Sequence, residues 1–187
     1  MIRAFIAVDL PDALIEEVAS LQTELKRTGA DVKWVEARNL HLTLKFLGDI
    51  EETLVPTLEE ALTGLVHPRT PFMFHLEDLG AFPRVSHPRV VWVGIKNGQE
   101  DLMALASSVE SALSRLGIPK EERPFSPHLT IGRVRSSDRL TPLVQKLQSA
   151  SFKGKVPAPV DHLTLYQSAL SPQGPTYTPL AQFPLGS

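Results

Sequence analysis

At 187 residues, 42% hydrophobic and 21% charged, the chain has enough apolar content for one compact domain or two small lobes on a shared core. A formal net charge of −2 excludes a protein that coats nucleic acid by bulk electrostatics, while leaving room for a local basic site that grips one strand end. The absence of cysteine excludes disulfides, thiolate metal sites and a cysteine nucleophile.

The chain opens on a short apolar run, Arg3 to Leu10, rich in Ile, Val and Phe and ended by Pro11, which reads as a buried strand. The run is far shorter than a membrane span and lacks the order of a signal peptide, so a cytoplasmic protein is expected. From Asp12 to Arg27, Leu14, Ile15, Val18, Leu21 and Leu25 recur at helical spacing until Gly29. Leu40 to Leu47 alternates as a strand, Leu54 to Val66 is a second helix, and Phe72 to Leu79 a third strand. Gly80 to Pro88, with Gly80, Pro83 and Pro88, reads as a boundary.

The same order then recurs. Arg89 to Ile95 is a strand, Glu100 to Leu116 a helix closed by Gly117, His128 to Val134 a strand, Leu140 to Ala150 a helix and Val160 to Gln167 a strand. The offset is nearly constant: Arg3 to Arg89 is 86, His41 to His128 is 87, and Leu54 to Leu140 is 86. The expected fold is therefore α+β, a single bilobal domain of two pseudo-symmetric β-α-β-α-β units, about 1–80 and 88–170. Mainly antiparallel sheets lie inside, helices outside and a cleft between the lobes. The tail, 171–187, is expected to pack on one lobe, with Tyr177 to Phe183 as a last edge strand.

Side chains at i and i+2 of a strand share a face. His41 and Thr43 therefore point one way and Leu40, Leu42 and Leu44 the other. His128 and Thr130 do the same, backed by Leu129 and Ile131. Opposed across a pseudo-two-fold axis, the two pairs bring two imidazoles and two hydroxyls to one cleft. That set suits transfer at phosphorus. One neutral His takes a proton from water while the other, protonated, gives one to the departing oxygen, each with an ordinary pKa of about 6.5. The threonines donate hydrogen bonds to non-bridging oxygens, and no metal or cofactor is called for. A lone His-x-Thr means little, and a third match, His162-Leu163-Thr164, falls on the third strand of its unit at the offset that pairs it with His75.

HLTLKFLGD at 41–49 and SPHLTIGRV at 126–134 resemble the twin signatures of the 2H phosphoesterase superfamily, and within it the RNA 2′,3′-cyclic phosphodiesterase (2′-5′ RNA ligase, LigT-like) family. RAFIAVDLP at 3–11, GAFPRVSHPRVVWVG at 80–94 and LTLYQSALSPQGPTYTPL at 163–180 extend the likeness over nearly the whole chain. The resemblance implies hydrolysis of a 2′,3′-cyclic phosphate at an RNA 3′ end to a 2′-phosphate, with reversible 2′-5′ joining of RNA ends. It also implies RNA partners such as tRNA halves, no membrane partner, and His41 as proton donor with His128 as proton acceptor. The near symmetry of the motifs does not itself distinguish those two roles. Other small cyclic phosphates, 2′-5′ oligonucleotides, or RNA-end binding without catalysis are the competing readings. A monomer is the default.

Around the motifs, regular alternation puts Lys45 on the face of Thr43, where its ammonium would meet phosphate charge, and Phe46 on the anchored face, where it would pack in the core or else stack on a base. Alternation turns Arg133 away from Thr130 unless Gly132 permits a bulge, in which case it contacts phosphate. Phe82 is a stacking candidate in the interlobe loop, and Arg84, His87 and Arg89 give that loop a positive face. His67 reads as a surface residue and His75 as a strand residue without chemistry.

Overall fold

The structure, a computed structural model, describes residues 1–186. Its first half runs β1 (Ile2–Val8), α1 (Asp12–Lys26), β2 (Val32–Trp34), β3 (Leu42–Ile50), α2 (Val55–Val66) and β4 (Phe72–Arg84). Its second half runs β5 (His87–Lys96), α3 (Gln99–Ser114), β6 (His128–Val134), α4 (Leu140–Ser149), β7 (Ala158–Val160), β8 (His162–Ser171) and β9 (Gly174–Pro184). Each helix and long strand expected from the apolar spacing is present. The short strands β2 and β7 were not expected, the strand expected from Val160 begins at His162 as β8, and β9 is the predicted edge strand of the tail.

Two antiparallel sheets form, a four-stranded one in the order β3-β1-β8-β9 and a five-stranded one in the order β2-β6-β5-β4-β7. This order preserves the pseudo-two-fold relation but changes who supplies each lobe. The trio β3-β1-β8 is matched by β6-β5-β4, so the third strand of each unit crosses into the sheet of the other. The lobes are therefore not the consecutive stretches 1–80 and 88–170. The first helix of each unit follows the same exchange. Gln22 of α1 donates to the Ile131 carbonyl of β6, while α3 reaches β3 through Glu110 and Lys45.

Gly80 to Pro88 corrects a second expectation. It is no boundary loop but the end of the β4–β5 hairpin, with Gly80 opposite Trp92, Phe82 opposite Val90 and Arg84 opposite His87. Gly80 serves close packing here, because a Cβ on it would sit 2.2 Å from the Trp92 ring. A glycine that reads as a breaker along the chain thus makes room across the sheet.

The core continues from one sheet to the other through the buried faces of the motif strands. Leu42 and Leu129 are both fully buried, as are Leu14, Val18 and Leu25 of α1 and Leu102, Val109 and Leu113 of α3. Burying one such leucine contributes about 1.5–3 kcal/mol, and cutting Leu42 or Leu129 to alanine would cost about 2–5 kcal/mol once the cavity is included. These leucines anchor the strands that carry the site.

Candidate active site

One cleft of about 310 Å³ is lined by His41, Thr43, His128 and Thr130 together with Arg133, Phe46 and Tyr177. The two His-x-Thr pairs, 87 residues apart in the chain, thus share a single cavity between the sheets. His41 lies immediately before β3 and His128 is the first residue of β6.

Each imidazole is fixed by a carbonyl two residues upstream. The Nδ1–H of His128 donates to the Ser126 carbonyl at 2.6 Å. His41 makes the corresponding backbone bond with Asn39, and its Nε2 lies 3.0 Å from the Thr43 hydroxyl. The neutral His128 ring is thereby held in the tautomer that leaves Nε2 as the unprotonated nitrogen, which is the form a base needs.

Their surroundings differ. His41 stacks on Phe5 with ring centroids 4.7 Å apart and meets Tyr177 edge-on at 5.0 Å. Burial in this aromatic box pushes its pKa down to about 4, against the opposing pull of the Asn39 bond and the Asp9 carboxylate. His128 meets Phe82 edge-on at 4.9 Å. Burial lowers its pKa below the ordinary value, opposed by the Ser126 bond and assisted by the Arg133 charge. A lowered pKa keeps a base neutral at working pH. For an acid it is a handicap, which an anionic phosphate in the cleft would offset by favouring the imidazolium.

Beyond the threonines, a β-bulge in each strand breaks the alternation. Ile6 pairs with Lys45 and Ala7 with Thr43, leaving Leu44 unpaired in the ladder. Phe46 consequently emerges at 57% exposure on the cleft wall, not in the core. Lys45 turns inward to 2% exposure, where its ammonium bonds Glu110 at 2.9 Å and the Pro119 carbonyl at 2.9 Å. The phosphate contact expected of Lys45 is thus replaced by an internal ion pair, because the bulge exchanged its face with that of Phe46.

In β6, Gly132 pairs with Val91 and Thr130 with Trp92, leaving Ile131 out. Arg133 is thereby brought to the cleft on the side of Thr130, as a bulge at Gly132 requires. A Cβ on Gly132 would meet Val32 and Trp34 at 2.8 Å, so only glycine fits beneath β2. The bulged Ile131 carbonyl accepts from the Val35 N–H at 3.0 Å and from the buried Gln22 amide at 2.9 Å.

Other candidates sit apart. Phe82 touches His128 and Trp92 without lining the cleft itself. Arg84 lies at the hairpin tip with His87, Arg89 and Arg135, around a separate depression of about 800 Å³. The third match serves a different group: His162 Nε2 at 2.9 Å, Thr164 at 2.7 Å and Tyr166 at 2.5 Å all bond the Asp9 carboxylate. Burial alone would raise the pKa of Asp9, but these three hydrogen bonds outweigh it and hold the carboxyl below its ordinary value. The sequence reading missed Phe5, Tyr177 and Asp9, which reach His41 only through strand pairing and the C-terminal hairpin. Asn39 and Ser126 were legible in principle, as the residues two before each motif histidine. Among the described residues, no three His, Asp or Glu side chains are arranged to hold a metal ion.

Two antiparallel sheets facing each other across a cleft with paired His-x-Thr strands are the LigT-like architecture, and the comparisons agree. A crystal structure from Thermus thermophilus superposes with a TM-score of 0.83 at 30% identity, covering 98% of this chain and 97% of that one. Escherichia coli LigT complexed with 3′-AMP superposes with a TM-score of 0.79 at 29% identity, covering 98% of each. Proteins named RNA 2′,3′-cyclic phosphodiesterase are 40% identical in Archaeoglobus fulgidus, over 97% of this chain and 99% of the relative, and 37% identical in Methanothermobacter thermautotrophicus, over 98% and 99%. The family model of the 2′-5′ RNA ligase superfamily matches residues 10–171, and the chain belongs to this superfamily of 2H phosphoesterases.

Proposed function

We propose that the protein hydrolyses 2′,3′-cyclic phosphate at RNA 3′ ends to a 2′-phosphate, using His41 as acid and His128 as base. One observation carries the reading: both His-x-Thr pairs line the same cleft, with His128 pinned at Nδ1 so that its Nε2 is left for chemistry. The naming of the curated relatives supplies the substrate class.

In this reading the neutral Nε2 of His128 takes the proton of a water attacking phosphorus. The Nε2–H of protonated His41, in line on the other side, delivers a proton to the departing 3′ oxygen. The P–O3′ bond breaks, and the phosphate remains on the 2′ oxygen. Each proton transfer is worth about 10²–10⁴-fold. Protonation of His41 also reverses its bond to Thr43, because Nε2 becomes the donor; the Thr43 hydroxyl hydrogen is then free for a non-bridging oxygen. Thr130 and Arg133 hold the same phosphate from the opposite lobe. With a 5′-hydroxyl in place of water, the same attack joins two RNA ends through a 2′-5′ link. A monomer is the oligomeric state proposed for the protein.

The test is product analysis. An oligonucleotide ending in 2′,3′-cyclic phosphate, treated after exhaustive chelation, is expected to yield a 2′-phosphate at an undiminished rate. A 3′-phosphate product would reverse the assignment of the leaving oxygen, and a rate restored only by added metal would overturn the two-histidine mechanism.

A further inference from the structure

A second groove, of about 400 Å³, runs on from the catalytic cleft and shares Val35, Asn39, Phe46, Arg133 and Tyr177 with it. Its volume lies in the range of about 300–1,000 Å³ typical of small-molecule sites. Arg3 and Lys33 join Arg133 as its cations, and among the described residues none of the three makes a salt bridge. The acid in the lining, Glu36, is paired to Arg38 at 2.7 Å. Apolar surface interleaves with this charge: Trp34 forms one wall, and Leu170 stands 69% exposed on another.

We infer that this groove binds the nucleotide immediately 5′ of the terminal one, its base against Trp34 and Leu170 and its phosphodiester toward Lys33 and Arg3. The inference rests on the phosphodiesterase reading of the adjoining cleft. A cyclic phosphate ends the RNA chain, so beyond the terminal nucleotide the strand continues in one direction only, and this groove is continuous with the catalytic cleft. Free cations beside flat apolar surface are what a single strand needs, because every base offers a π-face and every linkage a negative charge. The chain's net charge of −2 is compatible, since the positive charge is confined to one track.

The experiment compares a 2′,3′-cyclic mononucleotide with a dinucleotide bearing the same cyclic end, across wild type, Trp34→Ala and Lys33→Gln. Wild type should favour the dinucleotide in KM. Trp34→Ala should raise the dinucleotide KM about 5- to 150-fold more than the mononucleotide KM, the range that loss of one stacked base gives. Lys33→Gln, which leaves the stacking wall intact, should raise the dinucleotide KM less and flatten its dependence on salt. Equal KM for both substrates in wild type, or equal losses on both in the variants, would overturn the subsite. Mononucleotide hydrolysis in the same assays reports on the catalytic reading separately.

Discussion

The motif strands β3 and β6 repeat one backbone plan and fill it with different chemistry. Each has a histidine held by a carbonyl two residues back, a threonine facing the cleft, and a bulge directly after that threonine. In β3 the residue two past the unpaired one is Phe46, and in β6 it is Arg133, at equivalent places in the repeat. The bulges are also braced differently, by the buried Lys45–Glu110 pair in one lobe and by the Gln22 amide on the Ile131 carbonyl in the other. His41 sits deeper, among Phe5 and Tyr177, than His128 beside Phe82. The repeat therefore places the two histidines alike, while their neighbours differ.

Substitutions should break this comparison in order of size. Replacing either histidine by alanine should lower turnover by about 10²–10⁴-fold, read in single-turnover rates, with little change in thermal melting. Next comes Glu110→Ala, which leaves the buried Lys45 ammonium with the Pro119 carbonyl and the more distant, exposed Glu121 carboxylate at 4.0 Å. Its cost should be about 3 kcal/mol in urea unfolding, toward the lower end for buried pairs because Glu110 is partly exposed. Gln22→Leu removes hydrogen bonds to the buried Ile131 carbonyl and the part-buried Val35 carbonyl and should cost about 1–3 kcal/mol, with a loss of kcat/KM as the Arg133 bulge loosens. A wild-type rate in Gln22→Leu would show that the bulge needs no brace.

The pH profile sharpens the contrast further. In the proposed mechanism His41, as the acid, must be protonated, so activity falls as pH rises through its pKa; His128, as the base, must be neutral, so activity falls as pH drops through its own. Burial sets the first at about 4 in the free protein, and bound phosphate raises it. The alkaline limb of kcat should therefore lie at higher pH than that of kcat/KM, and coincident limbs would contradict this. Asp9→Asn removes a charge that favours protonated His41, so it should move the alkaline limb of kcat/KM to lower pH, the smallest effect predicted here.

How much of this was visible in the sequence follows from the range of each interaction. The motif strands, their apolar backing and the helices were legible, because periods of 2 and 3.6 are local properties of the chain. The bulges were not, save at Gly132, since a bulge is a register fault between strands and leaves little mark on either; Lys45 and Phe46 changed faces for that reason. The exchange of β4 and β8 between sheets was equally hidden. Those pairings join residues as distant as Arg3 and Ser168, and no local pattern encodes them. Phe5, Tyr177 and Asp9 enter the site by the same non-local route.

Division of labour between the two imidazoles is tested most directly by changing the leaving group. A nitrophenyl phosphodiester departs without protonation, so it needs the base and not the acid. On this substrate His41→Ala should retain far more activity than it does on a cyclic-phosphate RNA end, whereas His128→Ala should be crippled on both. Full loss in His41→Ala with retention in His128→Ala would exchange their roles, and undiminished turnover of both substrates by both variants would remove the histidines from the reaction.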